Sequence, residues 1–333
     1  MSKKRKTPET KSPETKVDNK TESVSRSLCV ALPSSLISQV ITYEQKTMLV
    51  GQIARGLAVF GIAEVVIYDD SEKNSPDAPH STDLEFFCRN LEYLETPPYL
   101  KKLLFPMHPH LKFAGLAPPL DCMHHLRREE WSRFREGVVL EDGVSVEVGL
   151  RRPATLSTSL EPLTRITFEF DKDITFDSPT LSGKAVSPLK PIKETRKFLS
   201  WGFAVRAASS LEEALKGQEG YPYDLRIGVK DRDALALRKV VSKLQGESLV
   251  GKANVLLVFY GQQVDQQTDW KEVKPAEPAK KKIPKSNPPP HPLIDMEINF
   301  AEWSQSRHLR TEEMVWMALT GLRGVILNWI RRD

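Results

Sequence analysis

The chain has 333 residues, 40% of them hydrophobic, with 48 Lys and Arg against 44 Asp and Glu and a net charge of +4. It is long enough for two domains and a sizeable core, and its mild basicity permits an RNA partner without demanding one. No run of about 18 apolar residues is present, which excludes a helical membrane span, and the odd, scattered Cys29, Cys88 and Cys122 fit buried thiols in a reducing compartment better than a disulfide frame.

Residues 1–26 are rich in Lys, Glu, Ser and Thr and poor in apolar groups, so they are expected to be a disordered basic tail. The tail lacks the apolar stretch of a secretory signal. Its Lys3-Lys4-Arg5-Lys6 run suits a nuclear address, a non-specific nucleic-acid contact or simple solubilisation. Leu28 to Leu32 reads as a short strand ended by Pro33. A helix follows with Leu49, Ile53, Leu57 and Phe60 on one stripe, at the spacing of a buried face. Gly61 breaks it, and Val65 to Tyr68 forms a second strand. Strand, helix and strand make a βαβ unit and predict a parallel sheet. Residues 71–82 read as a polar loop. Leu84, Phe87, Cys88, Leu91 and Leu94 mark an amphipathic helix stopped by Pro97-Pro98.

From Gly137 the pattern changes to short apolar runs separated by Gly, Pro and charges. They include Val138-Val139, Val144 to Val148, Ile166 to Phe170, Gly183 to Val186 and Trp201 to Val205. These predict a small β-barrel inserted at about 110–206 between two halves of an α/β domain, 27–109 and 207–333. The α/β pattern resumes with a strand at Asp224 to Ile227, a helix at 231–244 and an apolar strand at Ala253 to Phe259. Residues 266–292 are a Lys/Pro-rich segment that cannot build a core, expected to be a flexible surface loop. A last strand, Leu293 to Ile298, and a helix opened by Thr311 end the chain.

Three strand ends carry unusual residues: Gly228-Val229-Lys230, Tyr260-Gly261, and the stretch from Asn299 through Ser306, Arg307 and Arg310 to Thr311. In parallel sheets ligands sit beyond the carboxyl ends of strands, and glycine there permits a tight turn or a close backbone approach. Thr311 suits a helix N-cap, with Glu312 and Glu313 well placed in the first turn. Arg307 and Arg310 oppose the helix dipole and would be more comfortable beside a phosphate or carboxylate. Arg55, on the first helix, reads on pattern alone as a solvated arginine. Cys122-Met123-His124-His125 invites a metal, but no second Cys/His pair stands at usable spacing, so no metal site is expected.

Several blocks together resemble a known family. They are G-Q-I-A-R at Gly51 to Arg55, R-N-L-E-Y-L-E-T-P-P-Y-L at Arg89 to Leu100, F-A-G-L at Phe113 to Leu116, F-R-E-G at Phe134 to Gly137, W-G-F-A-V-R at Trp201 to Arg206 and S-R-x-x-R-T-E-E at Ser306 to Glu313. In this order, across about 28–330, the chain resembles the SPOUT-class RNA methyltransferases, in the eukaryotic branch that modifies N3 of a uridine in large-subunit rRNA. The resemblance implies a parallel α/β sheet with a C-terminal trefoil knot, an inserted OB-like barrel, and S-adenosylmethionine (SAM) as cofactor. It also implies an rRNA or pre-ribosomal substrate, a homodimer or a heterodimer with a paralogue, and a nuclear, nucleolar location.

Carried onto this chain, the resemblance places Gly228, Val229, Tyr260, Gly261, Asn299, Ser306 and Thr311 around the cofactor. Arg55 and Arg307 become catalytic candidates, and Arg55 and Arg310 RNA-binding ones. The chain departs from the family at Val229 to Asp233, at Tyr260 and at Ala301 to Gln305, where bulkier residues stand. Two readings follow: a SAM-dependent rRNA methyltransferase, or a ribosome-assembly factor that keeps the fold and binds RNA without catalysis.

Overall fold

The computed structural model describes residues 26–71, 82–195, 199–218, 222–231, 234–244, 254–260, 292–302, 304–306 and 309–330. The basic tail before Arg26, the polar loop at 72–81 and nearly all of the Lys/Pro segment lie outside the described residues.

The first βαβ unit forms as its pattern dictates. Strand β1 (Ser27–Pro33) leads to helix α1 (Tyr43–Phe60) and strand β2 (Glu64–Tyr68). The Thr42 hydroxyl accepts the Gln45 N–H at 3.2 Å and caps α1. Gly61 ends α1 at φ +67°, a conformation a side chain would strain. β1 and β2 pair in parallel, Cys29 opposite Glu64. Helices α2 (Thr82–Glu95) and α3 (Lys101–Leu104) follow.

Five short strands then close a barrel: β3 (Phe134–Val139), β4 (Ser145–Glu147), β5 (Ala154–Leu156), β6 (Arg165–Phe170) and β7 (Ser182–Val186). Their order around the barrel is β3-β4-β5-β7-β6, with β5 and β7 parallel and the other pairs antiparallel. Val139, Val146, Val148, Phe168 and Phe170 fill the interior.

After α4 (Leu189–Thr195) the chain returns to the first sheet as β8 (Ala204–Ala208), paired in parallel with β2. Trp201 to Val205, expected as one more barrel run, therefore leads into the α/β sheet instead. Short strand pattern alone does not say which sheet a strand joins. The remainder is α5 (Leu211–Lys216), β9 (Leu225–Lys230), β10 (Leu235–Ala236), α6 (Leu237–Lys243), β11 (Asn254–Phe259), β12 (Met296–Asn299) and α7 (Thr311–Ile330). The helix expected at 231–244 is thus shorter. Its first part is drawn out as β10, because Leu235 and Ala236 pair with Ile298 and Asn299 at the sheet edge.

The seven-stranded sheet is parallel throughout, in the order β10-β12-β9-β11-β1-β2-β8. Both faces are covered, as a parallel sheet requires. Val30, Leu32, Ile227, Val229 and Leu257 pack with α1, α2 and α7 on one face. Cys29, Ala31, Val66 and Val258 pack with α5 on the other.

Barrel and sheet unit are joined by a buried polar network. Arg165 on β6 donates to both Glu95 carboxylate oxygens, at 2.5 and 3.1 Å, and to Glu136 at 2.8 Å. Glu136 also accepts from Thr167 at 2.7 Å and from the Trp201 indole at 2.9 Å. His124 Nε2 lies 3.0 Å from a Glu95 carboxylate oxygen. Burial alone pushes the Glu95 carboxyl up. The Arg165 charge and the hydrogen bonds from His124 and Arg165 outweigh it and hold Glu95 well below the usual carboxylate range.

Candidate functional site

The carboxyl ends of β9, β11 and β12 lie side by side, because β9 pairs with both of the others. Gly228 sits opposite Val258 on one neighbour and Glu297 on the other. Gly228 and Val229 are therefore inside the strand rather than in a loop beyond it. Side chains alternate along β9, so Val229 is buried against the α7 side of the sheet. Gly228 opens toward the opposite face, where Tyr260 lies.

A Cβ on Gly228 would stand 2.6 Å from the Tyr260 hydroxyl and 3.1 Å from Glu297 Cγ. The tyrosine thus lies across the backbone that the glycine leaves bare. Its hydroxyl donates to Glu297 at 3.2 Å, and the other Glu297 oxygen meets the Lys230 ammonium at 2.7 Å. Lys230 Nζ also lies 5.8 Å from the Tyr260 ring centroid. Burial, then the Glu297 charge, pushes the Tyr260 hydroxyl above its ordinary range. The phenol is a hydrogen-bond donor here, not a phenolate.

Replacing Gly228 with alanine is expected to displace Tyr260 and to lower stability by about 1–3 kcal/mol. Pairing it with Tyr260→Ala should recover part of that loss. Chemical denaturation of the two single variants and the double variant checks this. Strictly additive losses would mean that the two residues do not share the space.

Asn299 ends β12, and its side-chain oxygen accepts the Ala301 N–H at 2.8 Å, a turn closed on itself. Ser306 is exposed, its N–H 3.2 Å from the Ser304 hydroxyl. Gly261 and Arg307 lie outside the described residues. Thr311 is buried as the first residue of α7 rather than its cap. Arg310 holds the cap position: its carbonyl accepts the Met314 N–H at 3.1 Å, and its N–H is received by the Glu313 carboxylate at 3.0 Å. The Glu313 carboxylate reaching back to that N–H is half of a capping box. The Arg310 side chain is exposed, 3.9 Å from Glu312.

Arg55 sits on α1, half-buried, and donates to the Leu120 carbonyl. Among the described residues it has no carboxylate within salt-bridge distance. Gly56 beside it faces the indole of Trp316, 3.1 Å from where a Cβ would stand, so α1 crosses α7 near its first turns. The arginine is therefore held on the α7 side of the sheet, and Tyr260 and Glu297 on the other.

Cys122, His124 and His125 bring three donor atoms within 4.8 Å of one another. The sequence expected no metal there for want of a second pair of ligands. In the fold both imidazole Nε2 atoms are engaged by the Glu95 carbonyl, at 3.0 and 2.6 Å. Burial pushes the Cys122 thiol up to about 12.

Sequence reasoning names Lys230 only as part of the Gly228-Val229-Lys230 strand end, with no partner, and misses Glu297. The only local sign was a charged residue inside the short apolar run Met296–Asn299. Their meeting depends on the register of β9 with β12, which no local pattern specifies.

The chain matches, over residues 27–322, a family described as "Putative RNA methyltransferase". It is 33% identical over 319 residues to the human 28S rRNA (uridine-N(3))-methyltransferase, covering 89% of this chain and 77% of the human protein. The mouse protein of the same name is 31% identical over 322 residues, covering 89% and 76%. The Drosophila melanogaster one is 30% identical over 318 residues, covering 89% of this chain and 61% of the fly protein.

Proposed function

The chain belongs to this family of RNA methyltransferases, and from that premise we propose that it transfers a methyl group from SAM to N3 of a uridine in large-subunit rRNA. The observation that carries the reading is the junction of β9, β11 and β12. There, one glycine leaves the backbone bare beside a phenol, a carboxylate and an ammonium group.

The residues fit a methyl donor of this kind. Gly228 leaves the strand without a side chain, so that the Tyr260 hydroxyl and Glu297 can lie against its backbone. Tyr260 offers a ring face, Glu297 accepts hydrogen bonds from hydroxyl groups, and Lys230 and the backbone beyond Asn299 complement a carboxylate. SAM supplies an activated methyl on a sulfonium. The chain's own work is to hold the uridine, to favour loss of its N3 proton and to keep the nitrogen facing the donor. We assign the second task to Arg55 and, with it, Arg307; because Arg55 stands on the opposite face of the sheet from Tyr260 and Glu297, it serves the cofactor held by the second copy in the dimer proposed below. A guanidinium beside the base stabilises the anion left when the proton departs. Arg310 and Arg55 hold the RNA, and Val229, Gly261, Asn299, Ser306 and Thr311 complete the cofactor surroundings.

The same reading takes the strands from β9 onward, with α7, to tie the trefoil knot of the SPOUT fold. It takes the barrel, within 110–206, as an OB-like insertion between 27–109 and 207–333. A five-stranded closed barrel with a single parallel pair supports that assignment. A dimer, with itself or a paralogue, and a nucleolar location complete the proposal.

Titration calorimetry with SAM, together with transfer of labelled methyl to deproteinised large-subunit rRNA, tests it. Saturable SAM binding and label in N3-methyluridine are expected. RNA binding with neither SAM binding nor transfer would instead indicate a non-catalytic assembly factor.

A further inference from the structure

We propose that the RNA backbone runs along a strip formed by the outer side of α2 and the strap from α3 to Lys112, and follows that strap toward Arg55. The proposal rests on the RNA-methyltransferase reading and names the surface on which that reading places the substrate.

Cations and flat rings alternate along this strip. Lys101 Nζ lies 4.2 Å from the Tyr93 ring centroid, and the Tyr93 and Phe105 rings meet edge-on at 5.4 Å. Arg89 lies one helical turn before Tyr93 on α2. Its charge reaches His108 and His110, whose ring centroids are 4.6 Å apart. Lys102 and Lys112 are exposed.

None of Arg89, Lys101, Lys102 and Lys112 has a salt bridge among the described residues. The barrel differs: Arg133, Lys184 and Lys190 all turn to Glu169, at 2.5, 4.0 and 2.6 Å. Paired cations are already neutralised, whereas unpaired ones can release counterions to phosphates. The acidic residues whose charges reach this strip are Glu85, Glu92 and the buried Glu95, fewer than the four cations.

The strip also leads to the proposed chemistry. The strap continues from Lys112 over α1, where Ala117 and Pro118 press on Gly51, and Arg55, one turn further along, donates to the Leu120 carbonyl. Alternating cations and aromatic faces suit a nucleic-acid strand, whose phosphates and bases repeat in the same way. A merely acidic peptide would have no use for the rings.

The test is fluorescence anisotropy of the full chain with a labelled single-stranded RNA from its rRNA substrate, over a salt series. The triple variant Lys101→Glu, Lys102→Glu, Lys112→Glu is expected to lose at least about tenfold in affinity at 0.1 M salt. Its log-affinity against log-salt slope should become shallower by about 2. Phe105→Ala should weaken binding with the slope unchanged. The barrel pair Lys184→Glu, Lys190→Glu should change affinity less than about twofold, and SAM binding by the triple variant should match wild type, which also reports its folding.

A triple variant that binds RNA like wild type, or a barrel pair that loses more than it does, overturns the strip while leaving the methyltransferase reading intact. Displacement of RNA by polyglutamate of equal charge as readily as by unlabelled RNA overturns it too, in favour of an acidic protein partner. A wild-type chain that binds neither RNA nor SAM overturns the underlying reading.

Discussion

Arg55→Ala is expected to slow methyl transfer to rRNA by roughly 10²–10³-fold while leaving SAM affinity within about twofold. Uridine N3 carries a proton, and its methylation passes through a nitrogen that has given that proton up. A guanidinium stays charged at any working pH. It can therefore stabilise the anion without taking the proton, which leaves for solvent. In the fold Arg55 is held by the Leu120 carbonyl, a neutral acceptor, rather than by a carboxylate that would cancel its charge. Its half-burial and that hydrogen bond keep it from swinging freely. Arg55→Lys should recover part of the rate, since the charge returns without the planar fork. Single-turnover transfer with saturating SAM measures the chemical step. An alanine variant that turns over like wild type would remove Arg55 from the mechanism.

Arg165→Met is expected to be the most destabilising single change at the barrel junction, costing about 3–5 kcal/mol. It strands the Glu95 and Glu136 carboxylates, both buried, without their shared cation. A fall in Tm on the order of 10 °C follows. Adding Glu95→Gln should recover part of the loss by removing one stranded charge, and a calorimetric cycle on the four proteins checks it. Losses that simply add would show that the pair is not coupled.

The pH dependence has a definite sign. Glu95 is held below its ordinary value of 4.5, so its stabilisation is present above that pH and is lost as the pH falls further. The variant and wild type should therefore converge only in strong acid. His125, beside it, is held down to about 4 from 6.5, chiefly by burial and then by His124. The unfolded chain takes up that proton first, so the native state loses stability as the pH falls from 6.5 to 4.

The seven-residue β1, the amphipathic α1 and α2 and the apolar β11 were all legible, because a buried face imposes its period on neighbouring residues. The switch to short runs near Gly137 announced the barrel for the same reason. The cap of α7 falls at Arg310, one position before Thr311, and the side chain that closes it is Glu313, reaching back from inside the helix.

By itself the sequence determined the parallel α/β frame, the presence of the barrel and, through the order of its motifs, the family. Tertiary structure decided what no local period encodes. It gave the strand after Trp201 to the sheet instead of the barrel. It joined Glu95 to Arg165, 70 residues apart, as the polar seam between the two units. It laid Tyr260 across Gly228 and brought Glu297 and Lys230 to it through the register of two strands. Period and propensity act between near neighbours, whereas register, sheet membership and buried ion pairs are fixed only when distant segments compete for the same space and the same partners.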